Sequence, residues 1–219
     1  MKHVVITGAN RGIGLELARY YFSQGWRITA VCRETSPEIE GYATVIEGID
    51  VTRPDCIQQL VTALHGQMID VLINNAGLLQ NDVLGELDIA SLRMQMEVNA
   101  FAPLLLCEAL LPNLPEGSKI VNITSRMGSI GDNDSGGHYG YRASKAAFNA
   151  FGKCLAIDLK ARGIAVAQLH PGFVKTRMVN FAGVITTEES VAGLTARIEA
   201  LNLGNTGSFW HCNGEKLPW

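Results

Sequence analysis

Tyr141 and Lys145 stand four residues apart inside a helical pattern, so a helix would place both on one face. A free tyrosine titrates at about 10 and is a poor acid or base near neutrality. A neighbouring ammonium favours the phenolate and lowers that value, which makes the pair a candidate general acid/base. Ser125 ends the strand-like run "SKIVNITS" and could donate a hydrogen bond to a substrate oxygen. Ligands of open α/β sheets bind beyond such strand ends. The Y-x-x-x-K spacing alone is common by chance and also fits a purely structural helix face.

A second constellation lies near the beginning of the chain. "TGANRGIG" (7–14) carries Gly8, Gly12 and Gly14 between a strand-like run and a helical one. A helix N-terminus there offers unpaired N–H groups to a pyrophosphate, and glycines let the backbone come close. A turn that merely needs flexible residues is the plainer alternative. At the end of the second strand an acid would bond the ribose of NAD. This chain has Cys32 and then Arg33, with no carboxylate before Glu34. Arg33 and Arg11 suit a 2′-phosphate, since each guanidinium is a planar fork of donors; two solvated surface arginines are the other reading.

Elements that could position these residues follow from periodicity. Strand-like runs fall at 3–7, 26–32, 43–50, 70–77, 118–125, 164–172 and 207–214. Helical patterns fall between them at 14–25, 55–66, 91–114, 141–163 and 188–202, the third containing Pro103 and Pro112. Near-continuous apolar strands alternating with amphipathic helices predict a single doubly wound parallel sheet of about seven strands, helices on both faces. No linker or repeat divides residues 1–219.

Composition narrows the function. Of 219 residues, 47% are hydrophobic and 18% charged, which is a globular balance. A net charge of −3 leaves no electrostatic footprint for nucleic acid. No apolar stretch reaches the roughly 18 residues of a membrane span, and a strand beginning at Val4 leaves no room for a signal peptide. Five scattered cysteines without a C-x-x-C argue against zinc and against a disulfide framework. We expect no metal, no membrane, and a reduced cytoplasmic compartment.

Together "TGANRGIG", "NNAG" (74–77), Asn99, Ser125, "YRASK" (141–145) and "HPG" (170–172) resemble the short-chain dehydrogenase/reductase family in order and spacing over essentially the whole chain. The ending "FWHCNGEKLPW" is similar to the subgroup of C-signal-like proteins and sniffer-type carbonyl reductases. The resemblance implies a Rossmann fold, NADP(H) in preference to NAD(H), and a small carbonyl or alcohol substrate. Gly8, Asn10, Gly12, Ile13 and Gly14 would hold the pyrophosphate, with Arg11 and Arg33 at the basic positions of NADP-preferring members. Asp50 and Val51 would flank the adenine. Asn74, Asn75, Ala76 and Gly77 would stabilise the sheet and border the ribose. Asn99 would hold a relay water, Ser125 would orient the carbonyl, Tyr141 would donate the proton and Lys145 would grip the ribose. Pro171, Gly172, Val174 and Thr176 would bracket the nicotinamide. The family also implies a homodimer through the two long helices.

Several features stay open at this level. Tyr141 follows Ser125 by 16 residues, a few more than in many relatives, with the excess in "GDNDSGG" (131–137), expected to bulge outward. Tyr139 lacks a lysine four residues on and either lines the pocket or anchors the loop. Residues 173–190, with Met178, Phe181, Val184 and Ile185, read either as a cover over an apolar substrate or as a helix packed on the core. His138, His170 and His211 read as structural. Beside an oxidoreductase, a cofactor-bound regulator remains a second reading, although such a protein could dispense with the catalytic set.

Overall fold

The apolar runs form parallel strands because each is flanked by amphipathic segments that can cover both faces of a sheet. A computed structural model describes residues 1–219. The strands are β1 (His3–Thr7), β2 (Arg27–Val31), β3 (Thr44–Ile46), β4 (Val71–Asn74), β5 (Lys119–Ile123), β6 (Ala165–His170) and β7 (Ser208–His211). They lie in the order β3-β2-β1-β4-β5-β6-β7, every pair parallel. The helices are α1 (Gly12–Ser23), α2 (Pro37–Glu40), α3 (Pro54–Ala63), α4 (Ile89–Met96), α5 (Ala102–Ala109), α6 (Tyr139–Asp158) and α7 (Thr187–Ala200).

Strand alternation sorts the core into two layers. Val4, Ile6, Ile73, Val121 and Leu169 pack with Leu17 of α1 and with Val191, Leu194 and Ile198 of α7. Val5, Leu72, Ile120 and Val166, one residue out of phase, pack with Leu60 of α3, Leu106 of α5 and Ala156 of α6. Successive side chains of a strand point to opposite faces, so the single doubly wound Rossmann domain is the direct product of that period. The chain runs outward from β1 to β3 and then returns to place β4 on the other side of β1. This reversal opens a crevice at the carboxyl ends of β1 and β4.

Two expectations need correction. The helical pattern at 91–114 is not one helix. It divides into α4, a π-helical turn at Glu97–Phe101, α5, and a 3-10 turn at Leu111–Asn113. Pro103 has no N–H to offer the carbonyl of Asn99, four residues back, so the regular ladder cannot continue there and the helix widens. The third strand is also shorter than the run 43–50. Gly48 turns the chain at φ 77°, and the Gly48 and Ile49 N–H groups bond the carbonyls of Arg33 and Cys32.

Candidate active site

The glycine turn is built to exclude side chains. Gly8 and Gly12 adopt φ of 65° and 56°, the left-handed region that glycine reaches without strain. A Cβ on Gly14 would collide with the Gly8 carbonyl oxygen and stand 2.6 Å from Asn75 Nδ2. Asn75 holds this turn against β4: its Nδ2 donates to the carbonyls of Thr7 at 2.9 Å and Gly8 at 3.1 Å. Thr7 Oγ1 in return accepts the N–H groups of Asn75 and Ala76, both at 3.0 Å. The sequence placed Asn75 only within a sheet-stabilising run; its pinning of the turn needs the β1–β4 pairing to be known.

The remaining predicted cofactor residues surround this turn. Asn10 reaches toward the end of β2, its Nδ2 donating to the Glu34 carbonyl at 2.9 Å. Ile13 is half-buried in the first turn of α1, and Arg11 is exposed at its N-cap position. Arg33 is exposed past β2. Burial alone would raise the Asp50 carboxyl, but the Thr52 N–H and hydroxyl, with Arg33 and Arg53, hold it below the usual carboxylate range. Val51, Asn74 and Ala76 meet Thr7 around a narrow crevice. The Asn74 side chain is engaged within the sheet, donating to Asn122 at 2.9 Å and to Cys107 Sγ at 3.2 Å. A dinucleotide fits the residues present: the turn at the α1 N-terminus carries no side chain at Gly8, Gly12 or Gly14, and Gly14 lets it pack tightly on its own backbone.

Gly77 is where the two constellations meet. A Cβ there would lie 3.4 Å from Asn99 Oδ1, 3.8 Å from Lys145 Nζ and 3.8 Å from the Met178 methyl. Asn99 sits on the π turn, with no exposure. Its Oδ1 accepts the Leu78 N–H at 2.8 Å, and its Nδ2 donates to the Leu78 carbonyl at 2.7 Å and to Ser144 Oγ at 3.0 Å. Ser144 belongs to α6 and stands in the sequence reading only as a letter of "YRASK", with no role of its own. The bond clamps Asn99 to the helix that carries Tyr141 and Lys145.

Ser125 and Tyr141 are neighbours, and the Ser125 hydroxyl acts on the phenol to favour its charged form. Ser125 Oγ also accepts the Met127 N–H at 3.1 Å. The 3-10 turn at Arg126–Gly128 packs flush on α6, since a Cβ on Gly128 would stand 2.7 Å from the Lys145 carbonyl carbon. The extra residues at 131–137 are mostly exposed, an outward loop as expected.

The electrostatics overturn one expectation. Burial pushes the Tyr141 phenol up to about 12, with the Ser125 hydrogen bond pulling the other way. Burial pushes the Lys145 ammonium down to about 7. Its Nζ donates to the Ile123 carbonyl at 3.0 Å and stands 5.8 Å from the Tyr141 ring centroid. The expected lowering of the tyrosine by a fully charged neighbour does not occur, because the same dry environment penalises both ions.

Residues beyond β6 cover the turn. Thr176 Cγ2 lies 3.5 Å from where a Gly12 Cβ would be. Gly172 has φ 87°, and a Cβ there would stand 2.6 Å from Ile185 Cδ1. Val174 is buried and bridges Ile185, and the Lys175 N–H bonds the Ile185 carbonyl at 2.9 Å. Between these tied ends the segment is a loop with one 3-10 turn at Arg177–Val179, not a packed helix. Met178, Phe181 and Val184 are exposed, Val184 at 73%. Tyr139 is the first residue of α6 and lines a cleft of about 410 Å³ with Asn81, Val83, Leu84 and Ser135.

The histidines are placed around the site rather than in it. His170 and His211 meet edge to face at 4.8 Å. Burial, then the neighbouring His211 and Arg126, push His170 down to about 3, so it is neutral at ordinary pH. His138 precedes α6 in a left-handed conformation, φ 48°. No group of three or more His, Cys, Asp or Glu side chains is placed to hold a metal ion. No helix is long and apolar enough to cross a membrane.

Comparison with known proteins agrees with this geometry. A family model described as short chain dehydrogenase matches residues 2–184. The chain is 37% identical over 226 aligned residues to 1-hydroxy-2-glutathionyl-2-methyl-3-butene dehydrogenase of Rhodococcus sp. (strain AD45), covering 100% of both chains. It is 38% identical over 154 residues to C-signal of Myxococcus xanthus, covering 69% of this chain and 93% of that one. Among solved structures, the NADPH-bound carbonyl reductase from chicken fatty liver superposes with a TM-score of 0.90 at 28% identity, over 100% of this chain and 99% of that one.

Proposed function

The chain belongs to the short-chain dehydrogenase family of oxidoreductases, and from that premise we propose that it is an NADPH-dependent carbonyl reductase-like enzyme with Tyr141 as its general acid/base. The observation that carries this reading is the convergence of Gly77, Asn99 and Lys145 beside the Ser125–Tyr141 pair. When bound, the cofactor supplies a hydride to the substrate carbonyl. The chain's own residues do the rest. Gly8, Gly12, Gly14 and Ile13 hold the pyrophosphate against the α1 N-terminus. Lys145 holds the ribose, and residues 171–176 close over the nicotinamide end. Ser125 orients the carbonyl oxygen, and Tyr141 gives it a proton as the alkoxide forms. Asn99 and Lys145 pass a replacement proton inward through water.

The high phenol value suits this direction. An alkoxide is a stronger base than a phenolate, so transfer from a phenol at about 12 is downhill. The exposed Met178, Phe181 and Val184 on the segment 173–190 support an apolar substrate. The free cysteines support a cytoplasmic location. Exposed Met94, Phe101, Leu105 and Ile157 on the α4–α5 and α6 side support a homodimer.

The test is NADPH oxidation against a panel of aldehydes, ketones and quinones. Turnover of at least one class is expected. Tight NADPH binding with no turnover on the whole panel would sink the enzymatic reading and support the cofactor-bound regulator.

Preference for NADPH rests on Arg11 and Arg33, with Cys32 where an acid would favour NAD. Replacing both arginines by serine should cost NADPH affinity about 10- to 100-fold while leaving NADH affinity nearly unchanged, as expected for two lost charge-assisted contacts. Fluorescence titration with both nucleotides measures it. An unmoved ratio would refute the assignment.

A further inference from the structure

One buried carboxylate stands beside the machinery without a role in it. Asp82 lies in the loop between β4 and α4 and is only 4% exposed. Its Oδ2 accepts the N–H of Gly140 at 2.9 Å and Nε2 of Gln95 at 3.0 Å. Its Oδ1 lies 3.4 Å from Ser91 Oγ, and its backbone carbonyl accepts the His138 N–H at 3.2 Å.

These bonds meet a need that α6 cannot meet itself. Helix N-termini leave N–H groups without partners, usually capped by a side chain at the residue before the helix. Here that residue is His138, which makes no side-chain cap. Asp82 supplies the cap from another element, and its negative charge sits at the favourable end of the α6 dipole. Gly140, which it bonds, directly precedes Tyr141. A Cβ on Gly140 would stand 2.6 Å from Gln95 Nε2 and 3.0 Å from Asp82 Oδ2, so the contact has no slack.

The same carboxylate reaches the other catalytic helix. Gln95 has no exposure and lies in the last turn of α4, just before the π turn that carries Asn99. Its Oε1 accepts the Gln80 N–H at 3.0 Å, and the Gln80 Oε1 accepts the Ser91 hydroxyl at 2.5 Å. Asp82 is thus the one side chain bonded both to the first turn of α6 and to the end of α4.

We infer that Asp82 is a positioning residue: it holds Tyr141 in register with Asn99 by capping α6 and gripping Gln95. The inference rests on the enzymatic reading for its kinetic consequence and on the geometry alone for its structural one. An offset of about 1 Å at a catalytic group can cost 10²-fold in rate.

The experiment compares wild type with Asp82→Leu, Asp82→Asn and Gln95→Met. Asp82→Leu removes every side-chain bond. Asp82→Asn can put its amide oxygen in the place of Oδ2, which accepts from both Gly140 and Gln95, and turn its amide N–H toward Ser91 Oγ. Gln95→Met leaves the bond to Gly140 and removes the grip on α4. We expect kcat to fall about 100-fold in Asp82→Leu and about 10-fold in Gln95→Met, and to stay within about threefold of wild type in Asp82→Asn. KM and the NADPH Kd should stay within about twofold throughout. A kcat unchanged in Asp82→Leu, or an Asp82→Asn as impaired as Asp82→Leu, overturns the inference. Amide hydrogen exchange over residues 139–145 runs in parallel. If wild type turns over nothing, the enzymatic reading has failed. Lost protection in Asp82→Leu, kept in Asp82→Asn with NADPH still bound, then upholds the positioning role. Unchanged protection in Asp82→Leu removes it. Should Asp82→Leu not fold, Gln95→Met decides: an unchanged kcat there overturns the inference.

Discussion

Tyr141→Phe should lower carbonyl reduction by at least 10²–10⁴-fold while leaving NADPH affinity within about twofold, because it removes one positioned proton and little else. The residue is 7% exposed and packed in the first turns of α6, so phenylalanine keeps the volume and loses only the hydroxyl that neighbours Ser125. The pH dependence has a definite sign. With the phenol at about 12, Tyr141 stays protonated across the neutral range, so its ionisation does not limit reduction. The reverse oxidation needs the phenolate and should rise steadily with pH. Both features should vanish in Tyr141→Phe. Steady-state rates in each direction from pH 6 to about 10 measure them. Retention of wild-type reduction by the variant would refute the proton-donor role.

Gly14→Ala should reduce NADPH affinity by at least about 100-fold and destabilise the fold by ~1–3 kcal/mol, the range for overpacking a tight site. The added carbon meets the Gly8 carbonyl oxygen and comes 2.9 Å from Ala9 Cα, and backbone cannot rotate away as a side chain can. Relief requires the turn to move off Asn75, whose two donated bonds shape it. Gly12→Ala is the contrasting variant. Its φ of 56° is unfavourable for alanine, but its nearest neighbour is only the Thr176 methyl at 3.5 Å, so the loss should be smaller. Nucleotide titration and thermal melting of both variants give the comparison. Equal losses, or wild-type affinity in Gly14→Ala, would show that the turn does not approach the cofactor as argued.

Much of this molecule is legible without coordinates, for reasons tied to particular residues. The runs at 3–7, 118–125 and 164–172 announce β1, β5 and β6, because strands covered on both faces must be apolar throughout. Tyr141 and Lys145 share a helix, as their spacing requires. Gly8 and Gly12 take the left-handed backbone that their type permits. Neither the π turn at Asn99 nor the shortened β3 is legible in the same way. Pro103 is visible in the sequence, but whether a proline ends a helix, kinks it or widens it depends on what packs around it.

What the sequence determined by itself is therefore periodic and local: seven strands, the helices that cover them, and the residue types at the carboxyl edge of the sheet. Those follow from backbone periods of 2 and 3.6 residues, which any stretch of chain carries within itself. The tertiary structure alone decided which buried groups share one dry environment and which distant partners they find. It drove Tyr141 to about 12 and Lys145 to about 7, against the expectation from their adjacency. It also brought the Asp82 carboxylate to the Gly140 N–H, 58 residues away in the chain. Desolvation and long-range bonds depend on the whole packed molecule, and no local pattern records them.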